Sequence, residues 1–513
     1  MSNGIKRIVI LGGGTAGWLA ANHLASTLVG SGITITLVES KEIGTIGVGE
    51  GTVPMIRETL KRFGIRETDM FRHCNATFKQ SIKFVDWLHN PEQKPGHYYH
   101  HPFEYRALPY GAMANQWLAS DRNKSFVDTL TAQGAVCDAG LAPKLMTQAE
   151  YAGHFDYAFH FDARKFAELM RDNAVERFGV IHRYGKVVDA RTHLNGDIES
   201  VILEQGEALE ADLFIDCSGF ACRLLGDVYR VPFVDKSSQL FVDTALAFQV
   251  PYTDSAQPVA SSTIATAQPA GWIWDIGLQE RRGIGHVYSS QYMGDEEAER
   301  ILRAYAGKGS EGLEPRKIPM KIGYRQEFWR NNCVAIGLSQ GFVEPLEATA
   351  ILVTDTACRM LAEMVPAVDT EMPVAARRFN RVMVEAWERV IDFIQLHYRL
   401  SQRDDTAFWQ DNRNNPIVSD TLQERLALWQ HRTPCEFDFD SRLEVFNLAS
   451  YCYVLYGMEF ETQLHGRQAW GGADKPFLRH CTDVSQYTEG MLQLLKPNRA
   501  LIDKVRQYGL HQI

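Results

Sequence analysis

An apolar run from Arg7 to Leu11 leads directly into Gly12-Gly13-Gly14-Thr15-Ala16-Gly17. The pattern predicts a short buried strand, a tight turn and a helix through about Ser26. A second strand, Ile33 to Val38, then ends at Glu39. Glycine at 12 permits the turn, glycine at 14 lets a pyrophosphate approach the backbone, and glycine at 17 lets helix and strand pack closely. The helix start offers N–H donors and the positive end of a dipole. Glu39 lies 22 positions past Gly17, close to the ~20 expected of an acid that accepts from ribose hydroxyls. A lone glycine turn is weak evidence. Strand, helix, second strand and acid together predict a dinucleotide site held by Gly12, Gly13, Gly14, Thr15, Ala16, Gly17 and Glu39.

Two later segments read as strands that end in tight turns, Ala211 to Gly219 and Val334 to Leu338. They predict an α/β fold whose nucleotide module is discontinuous and interrupted by insertions. Gly283-Ile284-Gly285 lacks the third glycine of a second unit, so one nucleotide site is expected and no internal NAD(P)H domain. From Ala350 onward the chain reads as helical. Trp387, Val390, Ile391, Ile394 and Tyr398 follow amphipathic spacing.

Composition narrows the class. The 513 residues carry a formal charge of −10, which argues against a nucleic-acid binder. Nine cysteines contain no C-x-x-C pair, a distribution that suits a reducing cytoplasm. The N-terminus shows no signal-peptide pattern, and no apolar run reaches membrane-span length. A cytoplasmic protein without membrane contact is the expectation.

Gly271-Trp272-Ile273-Trp274-Asp275-Ile276-Gly277 places two tryptophans at i, i+2, on one face of a strand. An ordinary sheet core would explain an isolated pair. Here the segment resembles the G-W-x-W-x-I-P signature of flavin-dependent tryptophan halogenases, with Gly277 in place of the proline and a looser strand end expected from it. Ile46 to Pro54 is similar to the family's flavin strap. Phe78-Lys79, with Ile82-Lys83-Phe84 and Trp87, is similar to its essential-lysine segment. Gly341-Phe342-Val343-Glu344-Pro345-Leu346-Glu347-Ala348-Thr349-Ala350 is similar to its essential-glutamate segment. Asp392-Phe393-Ile394, His397-Tyr398, Arg403-Asp404-Asp405 and Phe408-Trp409 extend the likeness toward the C-terminus.

The resemblance implies an FAD-binding, Rossmann-like module of the GR2, p-hydroxybenzoate-hydroxylase-like type, interleaved with a substrate module and followed by a helical layer. The implied division is 1–110 and 181–235 for two parts of the FAD module, 111–180 for a substrate insertion, 236–325 for a sheet-rich insertion bearing the tryptophans, 326–360 for an FAD and halide segment, and 361–513 for the helical layer. It also implies the reaction. FAD, supplied reduced as FADH2, and O2 oxidise chloride or bromide to hypohalous acid. A lysine either forms a haloamine or hydrogen-bonds the acid, and an electron-rich ring attacks the halogen. A carboxylate near the cationic ring intermediate would stabilise it and could take its proton. Reduced flavin would come from a separate NAD(P)H-dependent flavin reductase. Family members are often dimers, so a homodimer is an open expectation. No metal is required.

Mapped by motif, Lys79 takes the lysine role and Glu347 the carboxylate role. Gly49, Val187, Leu338 and Ile351 join the cofactor set. Thr349 and the N–H of Ala350 form the halide site, where the family commonly has glycine at the second position. Trp272 and Trp274 form a barrier between flavin and substrate. His101, Phe103 and Phe446 contact the substrate ring. Lys83 rivals Lys79 if residues 79 and 83 share a helix face. Glu344 rivals Glu347; its plain alternative is a charge at a helix N-terminus. The His97-Tyr98-Tyr99-His100-His101 run has a plain alternative as a loop with ordinary hydrogen bonds. Near Glu444 the chain departs from the family, which holds the tryptophan backbone with a Tyr-Tyr pair and a later glutamate followed by Phe-Trp: Thr433-Pro434-Cys435-Glu436 shows no Tyr-Tyr pair, and Val445-Phe446 stands where the family has Phe-Trp. An indole-like substrate without the amino-acid group is therefore expected. An FAD-dependent aromatic hydroxylase and a non-catalytic flavin-binding protein are the rival readings.

Overall fold

The computed structural model describes residues 4–42, 49–104, 108–439, 441, 443–465 and 473–512. Ile46, Gly47 and Val48 of the strap-like segment lie outside them. The first β-α-β unit consists of β1 (Arg7–Leu11), α1 (Thr15–Thr27) and β2 (Thr34–Glu39). β1 and β2 pair in parallel, Ile8 to Ile35 through Leu11 to Val38. Four of the five β1 residues are buried, as a parallel strand covered on both faces requires. Six strands form this sheet in the order Trp329–Arg330, Cys333–Ala335, Leu213–Asp216, β1, β2, Ile181–Tyr184. Segments far apart in sequence thus build one nucleotide-binding sheet, and their strand ends converge on the turn after β1.

A second sheet carries the tryptophans. Its seven strands run Arg316–Pro319, Thr244–Pro251, Arg281–Tyr288, Gly271–Gly277, Ser262–Gln268, β5 (Ser81–Val85), β6 (Tyr98–Pro102). All pairs are antiparallel except β5 with Ser262–Gln268. A small third sheet joins β3 (Glu50–Gly51), β7 (Ala158–Phe161) and β4 (Thr77–Lys79). β4 and β5 are extended, so Lys79 and Lys83 do not share a helix face. The apolar-polar pattern of 77–85 serves short strands, and Lys83 instead reaches Asp138 on the protein's outer side at 2.5 Å. His100 and His101 likewise do not lie in a loop, because β6 takes up Tyr98 to Pro102; His97 precedes the strand.

The strand Gly271–Gly277 remains paired to its last residue, Gly277 opposite Arg282. The Thr77 hydroxyl donates to the Gly277 carbonyl at 2.6 Å. Glycine at this position therefore does not loosen the strand end. A side chain there would press on Val259 and Tyr252.

The C-terminal part is helical. The helix Thr349–Met364 packs on α1. A 29-residue helix, Met372–Leu400, follows, and it buries Trp387, Val390, Ile391, Ile394 and Tyr398. Shorter helices at Asp420–Trp429, Leu448–Gly457, Lys475–Leu494 and Asn498–Tyr508 complete the layer. Among the described residues no helix is long and apolar enough to cross a membrane.

Candidate active site

One cavity of about 590 Å³ joins the nucleotide sheet to the tryptophan sheet. Gly12, Gly13, Gly14, Thr15, Ala16, Glu39, Gly49, Val187, Leu338 and Ile351 line its nucleotide side. Gly17 does not line it. A Cβ there would lie 1.8 Å from the Gly12 carbonyl oxygen, so this glycine serves helix-strand contact. Gly12 has φ +112°, a left-handed conformation that favours glycine. Gly14 differs from both: a Cβ there would meet no protein atom within 4 Å. Its missing side chain leaves room on the cavity side only. No side chain caps α1, so its first N–H groups remain available to an anion. Glu39 lies against Gly13 and accepts from or shares a proton with His182 Nε2 at 2.7 Å. These features fit the pyrophosphate and ribose of FAD.

Lys79, Thr263, Trp272, Trp274, Glu347, Thr349 and Ala350 line the remainder of the same cavity. Lys79 ends β4 and is completely buried. Among the described residues its Nζ has no hydrogen-bond partner. It lies 5.0 Å from the centre of the Phe103 ring, and a Cβ on Gly51 would come within 3.2 Å of it. Burial pulls the Lys79 ammonium down to about 7, against the opposing charge of Glu347. A lysine in this state exchanges between ammonium and amine near neutral pH.

Glu347 sits in the turn that precedes the helix Thr349–Met364. Both Glu347 and Ala348 adopt left-handed backbone, φ 67° and 55°, a cost accepted where the surroundings over-determine the conformation. His101 Nδ1 is 2.7 Å from Glu347 Oε2, and His397 Nε2 is 3.1 Å from Oε1. Burial would raise the Glu347 carboxyl, but the two histidines outweigh it and hold it at about 2. Thr349 and Ala350 begin the helix, with no side-chain cap.

Glu344 is placed differently. Its Oε2 accepts from the Trp272 indole N–H at 2.7 Å and from the Tyr398 hydroxyl at 2.7 Å. It is not a helix N-terminal charge and does not line the cavity. Burial raises its carboxyl to about 7, against those two hydrogen bonds. Trp274 is held by shape. A Cβ on Gly285 would fall 2.0 Å from its ring, so the Gly283-Ile284-Gly285 sequence provides a flat seat for an indole.

His101, Phe103 and Phe446 are buried beside the cavity without lining it. Phe446 stacks on Phe393 at 3.8 Å between centroids, and Phe393 is 5.9 Å from His101. Glu50, Thr263 and His397 received no role from the sequence. Glu50 and Thr263 line the cavity, Thr263 with its hydroxyl 2.7 Å from His160 Nε2. His397 belongs to the His397-Tyr398 pair of the C-terminal likeness, which carries no role for it.

This is the FAD-binding α/β fold of flavin-dependent halogenases. The solved tryptophan halogenase of Shewanella frigidimarina superposes with a TM-score of 0.94 at 39% identity, covering 100% of this chain and 99% of that one. The 7-chloro-L-tryptophan 6-halogenase of a Kutzneria species is 38% identical over 449 residues, 83% of this chain and 85% of that protein. The tryptophan 6-halogenase of Streptomyces toxytricini is 37% identical over 450 residues, 83% and 84% of the two chains. The tryptophan halogenase family model matches residues 7–470. The chain belongs to that family and is a flavin-dependent halogenase, an oxidoreductase whose family chemistry uses FAD, halide and O2.

Proposed function

We propose that this enzyme uses reduced FAD and O2 to oxidise bromide or chloride and delivers the halogen to an electron-rich ring of the indole class. The observation that carries the reading is the unpartnered Lys79 Nζ, buried in the same cavity as Glu347 and the nucleotide cradle. Bound in that cradle, reduced FAD would activate O2, and the oxygen would supply the oxidising equivalents that convert halide to hypohalous acid.

Each residue has a part in this scheme. The glycine turn and Glu39 hold the dinucleotide, with Gly49, Val187, Leu338 and Ile351 around it. Thr349 and the Ala350 N–H receive the halide at a helix start, where backbone donors suit a small anion. Trp272 and Trp274 keep the organic ring from the flavin. Lys79 engages hypohalous acid, as an amine that forms a haloamine with loss of water or as an ammonium that polarises it. Glu347, kept ionised by its histidines, stabilises the ring cation formed on substitution. His101, Phe103 and Phe446, the expected ring contacts, would act from behind the cavity wall, His101 through Glu347, Phe103 against Lys79 and Phe446 through Phe393. In the proposed division at 110, 180, 235, 325 and 360, residues 1–110 carry Lys79, His101 and Phe103 beside the glycine turn, and residues 326–360 carry Glu347, Thr349 and Ala350 beside Leu338 and Ile351. A distinct NAD(P)H-dependent reductase supplies FADH2, since the described residues hold a single glycine-turn β-α-β unit.

The names of the Shewanella, Kutzneria and Streptomyces relatives specify tryptophan or 7-chlorotryptophan. The Tyr-Tyr pair that would hold an amino-acid backbone is missing here, and charged anchors are what a zwitterion requires. We therefore propose an indole without the amino-acid group as the preferred substrate. Purified enzyme with flavin reductase, NADH, FAD and bromide should brominate indole, detected by mass spectrometry, more readily than tryptophan. Strong turnover of tryptophan with none of indole would overturn the preference. Oxygenated indole without halogenation would favour the hydroxylase instead.

A further inference from the structure

Glu344 is a fully buried carboxyl that the proposed halogenation scheme leaves without a task. Burying a carboxylate is costly, and apolar replacements of similar volume are often as stable. Both of its hydrogen bonds converge on one oxygen, Oε2. The other, Oε1, is buried and has no hydrogen-bond partner among the described residues. A side chain selected only to fill space would not leave an acceptor orphaned.

The two donors it gathers come from different parts of the fold. Trp272 lies on the strand Gly271–Gly277 and faces the cavity. Tyr398 lies near the end of the helix Met372–Leu400. Trp272 otherwise makes edge or tilted ring contacts, with Trp274 at 6.4 Å and Trp87 at 6.3 Å. Such contacts permit tilting of the ring, whereas a 2.7 Å bond at Nε1 fixes it. Trp274, by contrast, has no partner for its Nε1 among the described residues and is seated against Gly285. The polar anchor of the wall is thus confined to Trp272, and it comes from the segment that also carries Glu347 and Thr349.

We propose that Glu344 is a positioning residue that locks the Trp272 indole, and through it the wall between the two halves of the cavity, so that hypohalous acid reaches Lys79 instead of escaping. The inference rests on the halogenase reading above, and wild-type bromination of indole tests that reading separately. Glu344→Met removes the acceptor at nearly constant volume, while Glu344→Gln retains an acceptor for both donors. Each variant is assayed as the full chain with FAD, reductase, NADH and bromide, with indole as substrate and phenol red in solution as a trap for free hypobromous acid. With Glu344→Met the ratio of brominated phenol red to brominated indole should rise at least fivefold while FAD affinity stays at the wild-type value. Glu344→Gln should keep the wild-type ratio within about twofold. An unchanged ratio in Glu344→Met would overturn the proposal. So would a proportional fall of both products, the mark of general damage to the fold.

Discussion

His397 bridges its own helix and Glu347. Its Nδ1 lies 2.8 Å from the Phe393 carbonyl oxygen, which can only accept, so Nδ1 donates there. Its Nε2 lies 3.1 Å from Glu347 Oε1. His397→Leu removes this partner from a buried carboxylate. Urea unfolding should show a loss of about 3–5 kcal/mol, with at least tenfold lower halogenation. His397→Gln can still donate to Glu347 and should recover more than half of the lost stability. Equal losses in both variants would count against the hydrogen bond between His397 and Glu347.

Lys79 makes stability depend on pH. Its ammonium is held near 7 in the folded chain, against an ordinary value of 10.5. Between those values the unfolded chain holds the proton and the folded chain does not, so stability rises with pH across this window. The rise is bounded at ~5 kcal/mol by the size of the displacement. Flavin-free enzyme should therefore gain stability from pH 7 to 9, and Lys79→Met should lose that gain together with halogenation. Parallel pH profiles for the two proteins would show that Lys79 is not so displaced. The halogenation rate should also inflect near pH 7, upward if the amine is the active form and downward if the ammonium is.

Two glycines of one turn should fail in different ways. Gly17→Ala forces a methyl group onto the Gly12 carbonyl, 1.8 Å from its oxygen, and should destabilise the apoprotein by several kcal/mol on the order of other overpacked sites. Gly14→Ala meets no protein atom. It should leave the unfolding midpoint of the apoprotein within about 2 °C while weakening FAD binding at least tenfold, because the methyl would occupy the space of a pyrophosphate. Calorimetry and flavin titration on both variants distinguish the two. Unchanged FAD affinity in Gly14→Ala would remove the argument for a close phosphate approach.

Gly285→Ala tests the seat of Trp274. The added methyl lies 2.0 Å from the ring, inside a paired strand that cannot retreat. A cost of about 1–3 kcal/mol is expected, relieved in the double variant with Trp274→Leu. If Trp274→Leu gives no relief, the contact is not what limits this position.

The nucleotide half of the fold was legible because its constraints are local. A turn at Gly12, a contact at Gly17 and an acid at Glu39 are each fixed by a few neighbouring residues. Lys79, Glu347 and the tryptophan pair were legible through motif resemblance. The helix-face rivalry between Lys79 and Lys83 failed because short strands of alternating polarity can mimic helical spacing over so few residues. The partners of Glu347 were illegible for another reason. His101 and His397 lie 246 and 50 positions from it, and pairing across such separations leaves no periodic trace. Gly285 looked like an incomplete phosphate loop, since sequence does not show whether the space beside a glycine is taken by a ligand or by an indole.

Glu344 and Glu347, three residues apart, bond to Tyr398 and His397, which are adjacent in the long helix. This sets a rule for recombination among related enzymes. A chimera that exchanges the C-terminal helices to alter regiochemistry must bring residues 341–350 with them. Otherwise two buried carboxyls inherit donors placed for another protein's turn, and the hybrid would lose its wall and its charge balance at the same splice.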